Sequence, residues 1–166
     1  MEPTREVLGI DIGMVLIGER NLAVNVDDPG FPAAYLAREE VDGAIEAVVR
    51  LARERFGGHV CVVSKRSRQT RPLAVRWLID RHFFTRVGIG IDDVHFCETR
   101  EGKAPICKAL GVTHFVDNRL EVLSHLSTVP NRYLINAEEE EVARFVDHLP
   151  LVTRVASWQG ILDLLL

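Results

Sequence analysis

Cysteine is scarce in this sequence of 166 residues, and the three cysteines that occur form no C-x-x-C pair. Their odd number and their spacing argue against a disulfide framework and against a zinc site. Two of them lie within apolar runs that are typical of strands. We therefore expect reduced thiols in Cys61, Cys97 and Cys107, and a cytoplasmic protein.

The sequence also lacks long apolar runs and any excess of basic residues. No run approaches the roughly 18–20 apolar residues that a membrane span requires. Residues 1–6 lack the basic and apolar regions of a signal peptide, so we expect no membrane association. The net charge of −4 excludes a global positive field for nucleic acid, although a local basic patch remains compatible with it.

What the sequence does contain is an ordinary globular composition. Hydrophobic residues make up 47% and charged residues 27%, which is typical of a soluble protein with a core. A length of 166 residues without repeats or linkers predicts a single domain over residues 1–166.

Strand-like apolar runs alternate with helical segments along the whole chain. The predicted strands are 7–11, 59–64, 94–97, 113–117, 132–135 and 151–156. The predicted helices are 41–56, 73–79, 103–110 and 120–126. Two further helices are predicted to begin at caps, one at Asn136 and one at Ser157. The stretch 18–35 is predicted to be irregular. This alternation predicts an α/β, three-layer Rossmann-like fold with a central parallel sheet.

The first predicted strand ends in a single carboxylate, Asp11, and Gly13 follows two residues later. In open α/β sheets, ligands bind just past the carboxyl ends of the strands. Asp11 therefore occupies a position where a ligand would bind. The alternative is that Asp11 only begins a local turn.

Three more polar groups follow predicted strands or adjoin them: Ser64, Lys103 and Asp117. A doubly wound sheet brings such ends into one crevice. A carboxylate can attack phosphorus and form an aspartyl-phosphate. A hydroxyl and a lysine can hold phosphoryl oxygens, and a second carboxylate can help to bind Mg²⁺.

The order of these groups resembles the haloacid dehalogenase-like superfamily of hydrolases and phosphatases. The motifs are G-I-D-I-G-M-V at 9–15, V-V-S at 62–64, Lys103, and F-V-D-N at 115–118. The resemblance implies that Asp11 is the nucleophile and that Ser64 and Lys103 bind the phosphoryl group. It further implies that Mg²⁺ is the cofactor, held by Asp11, the carbonyl of Gly13, and Asp117. It also implies little or no cap domain, because the stretch after Asp11 is short.

Two positions depart from the pattern of that superfamily. Its phosphatases usually carry a second aspartate two residues after the nucleophile, as general acid and base, and here that residue is Gly13. General acid–base assistance contributes roughly 10²–10⁴ in rate, and glycine cannot supply it. The second departure is Asn118, where an acid is common.

A cluster of basic residues follows Ser64. Lys65 and Arg66 adjoin the predicted site, and further arginines continue into the next helix as Arg68, Arg71, Arg76 and Arg81. Arginine matches phosphate geometry, so the cluster favours an anionic substrate such as a phosphorylated small molecule, a nucleotide or a nucleic acid end. The alternative is a solvated helix face. An uncapped crevice also suits a large substrate or one covered by a second subunit in a homo-oligomer.

Other conspicuous residues have structural interpretations. We interpret His95 and His114 as core histidines, and Trp77 and Trp158 as packing residues. The acidic run 138–141 complements a helix dipole.

Three functions remain open from the sequence. The first is a Mg²⁺-dependent phosphohydrolase acting through Asp11, impaired or specialised by Gly13. The second is a non-catalytic phosphate-binding or regulatory protein, which the missing acid at Gly13 would suit. The third is carbon–halogen hydrolysis, against which Asp117 and the basic cluster argue.

Overall fold

The computed structural model describes residues 4–18 and 24–166. Asn21, one of the turn formers of the predicted irregular stretch, lies outside these residues. The strands are β1 Leu8–Ile10, β2 Val60–Lys65, β3 Val94–Cys97, β4 His114–Asp117, β5 Asn131–Ile135 and β6 Thr153–Val155. The helices are α1 Phe31–Leu36, α2 Ala44–Glu54, α3 Arg71–Asp80, α4 Phe83–Val87, α5 Lys103–Leu110, α6 Leu120–His125, α7 Glu139–Arg144 and α8 Trp158–Leu165. Short 3-10 helices span Ile91–Asp93 and Val146–Leu151.

The six strands form one parallel sheet in the order β3-β2-β1-β4-β5-β6. β1 lies between β2 and β4, with Gly9 opposite Cys61 on one side and Phe115 on the other. A Cβ atom on Gly9 would lie 2.5 Å from the ring of Phe115. Glycine is therefore required at this position of β1, because the aromatic ring packs directly over the strand.

Alternate residues of the strands face opposite sides of the sheet, and each side is covered by helices. Val62 of β2 belongs to the core cluster that holds the buried residues of α1, α2, α3, α4 and α8. Its neighbour Val63 belongs to a second cluster, together with buried residues of α5, α6 and α7. The predicted α/β fold with three layers and a central parallel sheet is therefore confirmed.

The segment predicted to be irregular contains a helix, so that prediction was wrong in part. α1 begins at Phe31, with Pro32 in its first turn, where proline fits because its missing N–H has no helical partner. Phe31 and Tyr35, four residues apart, are buried in the core on one side of the sheet. Both helices between β1 and β2 pack on this core, in agreement with the expectation of little or no cap.

The predicted helix caps have different outcomes. Ser157 caps α8, because its hydroxyl accepts a hydrogen bond from the N–H of Gly160. Asn136 is not a cap: α7 begins later, after Glu138. Asn136 has a left-handed backbone with φ of 50°, and its side-chain amide donates to the carbonyl of Met14.

The acidic run lies in the first turn of α7, as predicted, but one of its carboxylates serves another helix. Glu141 is buried and accepts hydrogen bonds from the backbone N–H groups of Leu120 (3.0 Å) and Glu121 (2.8 Å). This contact caps the N-terminus of α6 from a distance of twenty residues along the chain. No helix in the described residues is long and apolar enough to cross a membrane.

Candidate functional site

The four predicted site residues meet at one edge of the sheet, at the carboxyl ends of its central strands. Asp11 follows β1, Asp117 ends β4, and Ser64 is the penultimate residue of β2. Lys103 is the first residue of α5, which the loop after β3 connects to the sheet. The order of the strands reverses between β1 and β4, and such a switch point opens a crevice for ligands.

Lys103 lies between the two carboxylates at the base of this crevice. Its Nζ atom is 3.0 Å from Oδ1 of Asp11 and 2.7 Å from Oδ2 of Asp117. The side chains of Lys103 and Asp117 are 2% and 0% exposed, and that of Asp11 is 10% exposed. Of the three groups, the Asp11 carboxylate is therefore the one that faces the crevice.

The electrostatics of this cluster keep the lysine charged. Burial would lower the pKa of Lys103, but the carboxylates of Asp11 and Asp117 outweigh burial and hold its pKa above the usual range. Burial raises the pKa of Asp117 to about 6, against the opposing effect of Lys103.

The carboxylate of Asp117 is also fixed by the backbone that follows it. Its Oδ1 atom accepts a hydrogen bond from the N–H of Arg119 at 3.0 Å. Asn118 between them is 9% exposed and lines the same cavity. The turn after β4 is thus anchored at the carboxylate and, through Glu141, at the start of α6.

Ser64 supplies a hydroxyl that is not engaged by the described part of the protein. The residue is 1% exposed and lines the cavity, and its hydroxyl has no hydrogen-bond partner among the described residues. Buried polar groups are ordinarily satisfied, so a hydroxyl left open beside a cavity is suited to a ligand oxygen.

The cavity above these residues has a volume of about 460 Å³ and is strongly cationic. Among the described residues, six cationic side chains line it against three carboxylates. The cationic residues are Arg38, Lys65, Arg66, Arg100, Lys103 and Arg119, and the carboxylates are those of Asp11, Asp117 and Glu138. A net excess of positive charge around the Asp11 carboxylate suits an anionic ligand.

Three of these arginines were not predicted. Arg38 follows α1, in a segment that the sequence did not identify as structured. Arg100 lies in the loop before Lys103, where it pairs with Glu121 at 2.8 Å. Arg119 follows Asn118 directly, so its position next to the motif at 115–118 could have identified it as a residue of the site.

The basic cluster after Ser64 divides into two parts. Lys65 and Arg66 line the cavity. Arg68 points away from it, with a side chain that is 86% exposed and 3.6 Å from Glu98. Arg71 donates from Nε to the carbonyl of Arg66 and lies over the ring of Phe96. Of the six residues, the structure therefore brings only Lys65 and Arg66 to the site.

A side chain at residue 13 would require the end of the Arg66 side chain to shift slightly. Its backbone is not in the left-handed region, whereas the next residue, Met14, has a φ of 60°. The nearest atom to a Cβ on Gly13 would be Nη2 of Arg66, at 3.2 Å. The space that a second aspartate would enter is thus bordered by a guanidinium group.

The oxygen donors at this edge fit Mg²⁺. The ion binds oxygen ligands and usually needs only one or two carboxylates, with waters and substrate oxygens completing its shell. Asp11 and Asp117 supply two carboxylates to the lining of the cavity, and Gly13, whose backbone carbonyl is a further oxygen donor, lines it as well. No group of three or more His, Cys, Asp or Glu side chains that could hold a metal occurs within residues 4–18 and 24–166, which leaves this smaller donor set as the candidate.

The histidines and tryptophans lie away from the cavity lining. His114 is buried, stacks at 6.2 Å on Tyr133 and bonds through Nδ1 to the hydroxyl of Thr113. Trp77 and Trp158 are buried, and their indole N–H groups donate to the carbonyls of Arg38 and Val15. His95 lies in β3 and is partly buried.

Comparison with known proteins identifies solved structures with a similar fold. No protein-family model matches the sequence, and no curated protein matches it significantly. A D,D-heptose 1,7-bisphosphate phosphatase from Burkholderia thailandensis is 14% identical, with a TM-score of 0.59 over 96% of this chain and 98% of its own. A protein assigned as a haloacid dehalogenase-like hydrolase from Burkholderia xenovorans LB400 is 10% identical, with a TM-score of 0.61 over 97% and 99%. At these identities the likeness concerns the fold.

Proposed function

Because this chain has the fold of haloacid dehalogenase-like hydrolases, we propose that it is a Mg²⁺-dependent phosphohydrolase that acts through Asp11. The observation that carries the proposal is the position of Lys103, buried between the carboxylates of Asp11 and Asp117 at the base of a cationic cavity. A lysine in this position presents positive charge to the phosphoryl group.

In the first step, a carboxylate oxygen of Asp11 attacks phosphorus and the bond to the leaving oxygen breaks. The Ser64 hydroxyl and the Lys103 ammonium hold the non-bridging phosphoryl oxygens, on which charge accumulates. In the second step, water attacks the aspartyl-phosphate and restores the carboxylate. Gly13 supplies no proton in either step, so the leaving group must depart without one from this residue.

The residues that would hold Mg²⁺ are Asp11, the carbonyl of Gly13, and Asp117. When bound, the ion would neutralise charge on the phosphoryl group as a Lewis acid. Asp117 contributes a carboxylate whose orientation is fixed by the N–H of Arg119.

The substrate class follows from the cavity and from one structural neighbour. The D,D-heptose phosphatase of Burkholderia thailandensis is named for a phosphorylated small molecule. A cavity of about 460 Å³ with six cationic side chains also suits a phosphorylated small molecule or a nucleotide. A nucleic acid end stays a weaker prediction, because Arg68 and Arg71 do not extend the cationic lining.

A second candidate function is phosphate-ligand binding without turnover. The observation that favours it is Gly13, which removes the proton donor while leaving the cationic cavity in place. Carbon–halogen hydrolysis is disfavoured by the same cavity, since six cations exceed what one halide requires.

Turnover of 4-nitrophenyl phosphate separates these candidates. We expect release of 4-nitrophenol in millimolar Mg²⁺ and its loss on chelation by EDTA, because this leaving group needs no proton. Binding of inorganic phosphate without any turnover, in protein of verified fold, would support the non-catalytic function instead.

Mg²⁺ is expected to stabilise the folded protein, because the ion binds the native arrangement of Asp11 and Asp117 and not the unfolded chain. At 100 times the dissociation constant the gain would be about 2.7 kcal/mol. A thermal melt with and without Mg²⁺ measures it. Asp117→Asn should reduce the gain, while Asp163→Asn, an exposed aspartate of α8, should leave it unchanged. A wild-type melt indifferent to Mg²⁺ would contradict the metal site.

A further inference from the structure

Arg66 occupies a position that bears on how the proposed reaction expels its leaving group. A Cβ atom on Gly13 would lie 3.2 Å from Nη2 of Arg66. Gly13 is two residues from the proposed nucleophile, and both residues and Arg66 line the same cavity. A guanidinium therefore stands where a side chain of residue 13 would act.

The guanidinium of Arg66 has no counter-charge within the described protein. Its Nε atom is buried without a hydrogen-bond partner, and no carboxylate of the described residues pairs with it. The guanidinium of Arg66 lies over the ring of Tyr35, with 5.8 Å between its Cζ atom and the centroid of the ring. Leaving a partly buried cation unpaired is costly, so the arrangement favours an external anion as the partner.

The position of Arg66 is fixed from both sides of its backbone. Its N–H donates to the carbonyl of Cys97 at 3.1 Å, and its carbonyl accepts from Nε of Arg71 at 3.2 Å. Arg38 lies against the same Tyr35 ring, 4.9 Å from the centroid, and also lines the cavity. Two guanidinium groups thus adjoin one buried aromatic ring at the cavity wall.

Arginine cannot replace an aspartic acid as a proton donor, because a guanidinium does not lose its proton in proteins. It can instead donate paired hydrogen bonds to an anion such as phosphate. We therefore expect this site to stabilise the negative charge on the leaving oxygen and not to protonate that oxygen. Such a site discriminates by the charge and basicity of the leaving group.

We propose that Arg66 binds the leaving group and that the substrates are phosphoric anhydrides, in which the leaving group is itself a phosphate or a phosphorylated fragment. This inference rests on the proposed function. Asp11 forms the bond to the terminal phosphorus, and the P–O bond of the anhydride breaks with its electron pair on the leaving oxygen. That fragment departs as an anion held by Arg66. Water then cleaves the aspartyl-phosphate, releasing inorganic phosphate, and the proton lost by the water passes to solvent.

The positions of the cationic side chains in the cavity suit a substrate with two phosphoryl groups. Lys103 and Ser64 hold the transferred group at the base of the crevice. Arg66 lies beside Gly13, and Arg38 lies over the same Tyr35 ring as Arg66, so the second group would be placed at this wall. A monoester would leave the Arg66 guanidinium without an anionic partner.

The test compares inorganic pyrophosphate with methyl phosphate, and uses 4-nitrophenyl phosphate as a report on the integrity of the nucleophile. We expect wild-type kcat/KM to be much higher for pyrophosphate than for methyl phosphate. Arg66→Ala should lower kcat/KM for pyrophosphate about 10- to 100-fold, the effect of losing hydrogen bonds to a charged group. The loss for 4-nitrophenyl phosphate, whose leaving group carries one delocalised charge, should be several-fold smaller.

The matched control is Arg68→Ala, which removes an exposed arginine of the same loop and should change neither rate. Arg66→Lys keeps the charge without the paired donors and should recover only part of the pyrophosphate rate. Thermal melts establish that each variant is folded.

Three results would overturn the inference. In the first, wild type hydrolyses methyl phosphate as fast as pyrophosphate. In the second, Arg66→Ala lowers the rates for pyrophosphate and 4-nitrophenyl phosphate equally, which would place Arg66 on the transferred group. In the third, 4-nitrophenyl phosphate is hydrolysed in an Asp11-dependent way but pyrophosphate is not, and the proposed function then still stands. If no substrate is turned over and no phosphoenzyme forms, the proposed function fails and the inference with it.

Discussion

Replacing Asp11 by asparagine is expected to reduce turnover of 4-nitrophenyl phosphate by about 10⁴- to 10⁶-fold, the range seen when a covalent hydrolase loses one member of its catalytic unit. The amide of asparagine is a poor nucleophile, and it also removes the charge that faces Lys103. The fold should survive, because Lys103 keeps its 2.7 Å contact with the buried carboxylate of Asp117. Steady-state assays with a thermal melt as folding control measure the effect.

Two comparisons make the Asp11 result specific. Wild type incubated with substrate and quenched in acid should gain the mass of one phosphoryl group, and Asp11→Asn should not. Asp163→Asn, an exposed change of the same kind, should behave as wild type in both assays. Turnover that persists in purified Asp11→Asn at a tenth of the wild-type rate or more would show that Asp11 is not the nucleophile.

Placing an aspartate at position 13 is expected to raise the turnover of alkyl phosphates by up to roughly 10²–10⁴-fold, the contribution of general acid–base catalysis. An alkoxide leaves poorly without a proton, so wild type should be slow on these substrates. Breakdown of the aspartyl-phosphate should also be slow in wild type, and phosphoenzyme should accumulate. Gly13→Asp should accelerate both steps.

The structure indicates that a side chain can be accommodated at Gly13. The backbone there is not left-handed, and the nearest atom to a new Cβ is the end of a flexible arginine, Nη2 of Arg66. Pairing with Arg66 would keep the new carboxyl ionised, so Gly13→Asp combined with Arg66→Ala should gain more on alkyl phosphates than Gly13→Asp alone.

Gly13→Ala serves as the control for this gain, because it adds the Cβ without the acid. The measurement is the rate of hydrolysis of methyl phosphate and of 4-nitrophenyl phosphate by wild type, Gly13→Asp, Gly13→Ala and the double variant Gly13→Asp with Arg66→Ala. Rapid hydrolysis of methyl phosphate by wild type, with no gain in Gly13→Asp, would show that another residue supplies the proton.

Much of the fold could be predicted because its signals are local. The strand 94–97 and the helix 103–110 were predicted with the bounds that the structure has, since a short apolar run and a terminal glycine mark them. The gathering of Asp11, Ser64, Lys103 and Asp117 at one edge also follows from sequence order. Parallel strands joined by helices must present their carboxyl ends on the same side.

The remaining features depend on contacts between distant segments. α1 was missed because turn-forming residues precede it, and burial of Phe31 and Tyr35 overrides that local signal. Asn136 has the composition of a cap, but it bonds to Met14, 122 residues away. The approach of Arg66 to Gly13 joins two loops whose separation in the sequence gives no sign of it.

The contact between Glu141 and α6 has a consequence for how selectivity in this cavity can change. The N–H groups of Leu120 and Glu121 donate to Glu141, and that of Arg119 donates to Asp117, so these three amides at the helix start beside the cavity are not available to an incoming phosphate. The cationic side chains that line the cavity are then available to contact the phosphate. A preference carried by individual arginines can evolve one substitution at a time, while the main chain that holds Asp11 and Asp117 stays as it is.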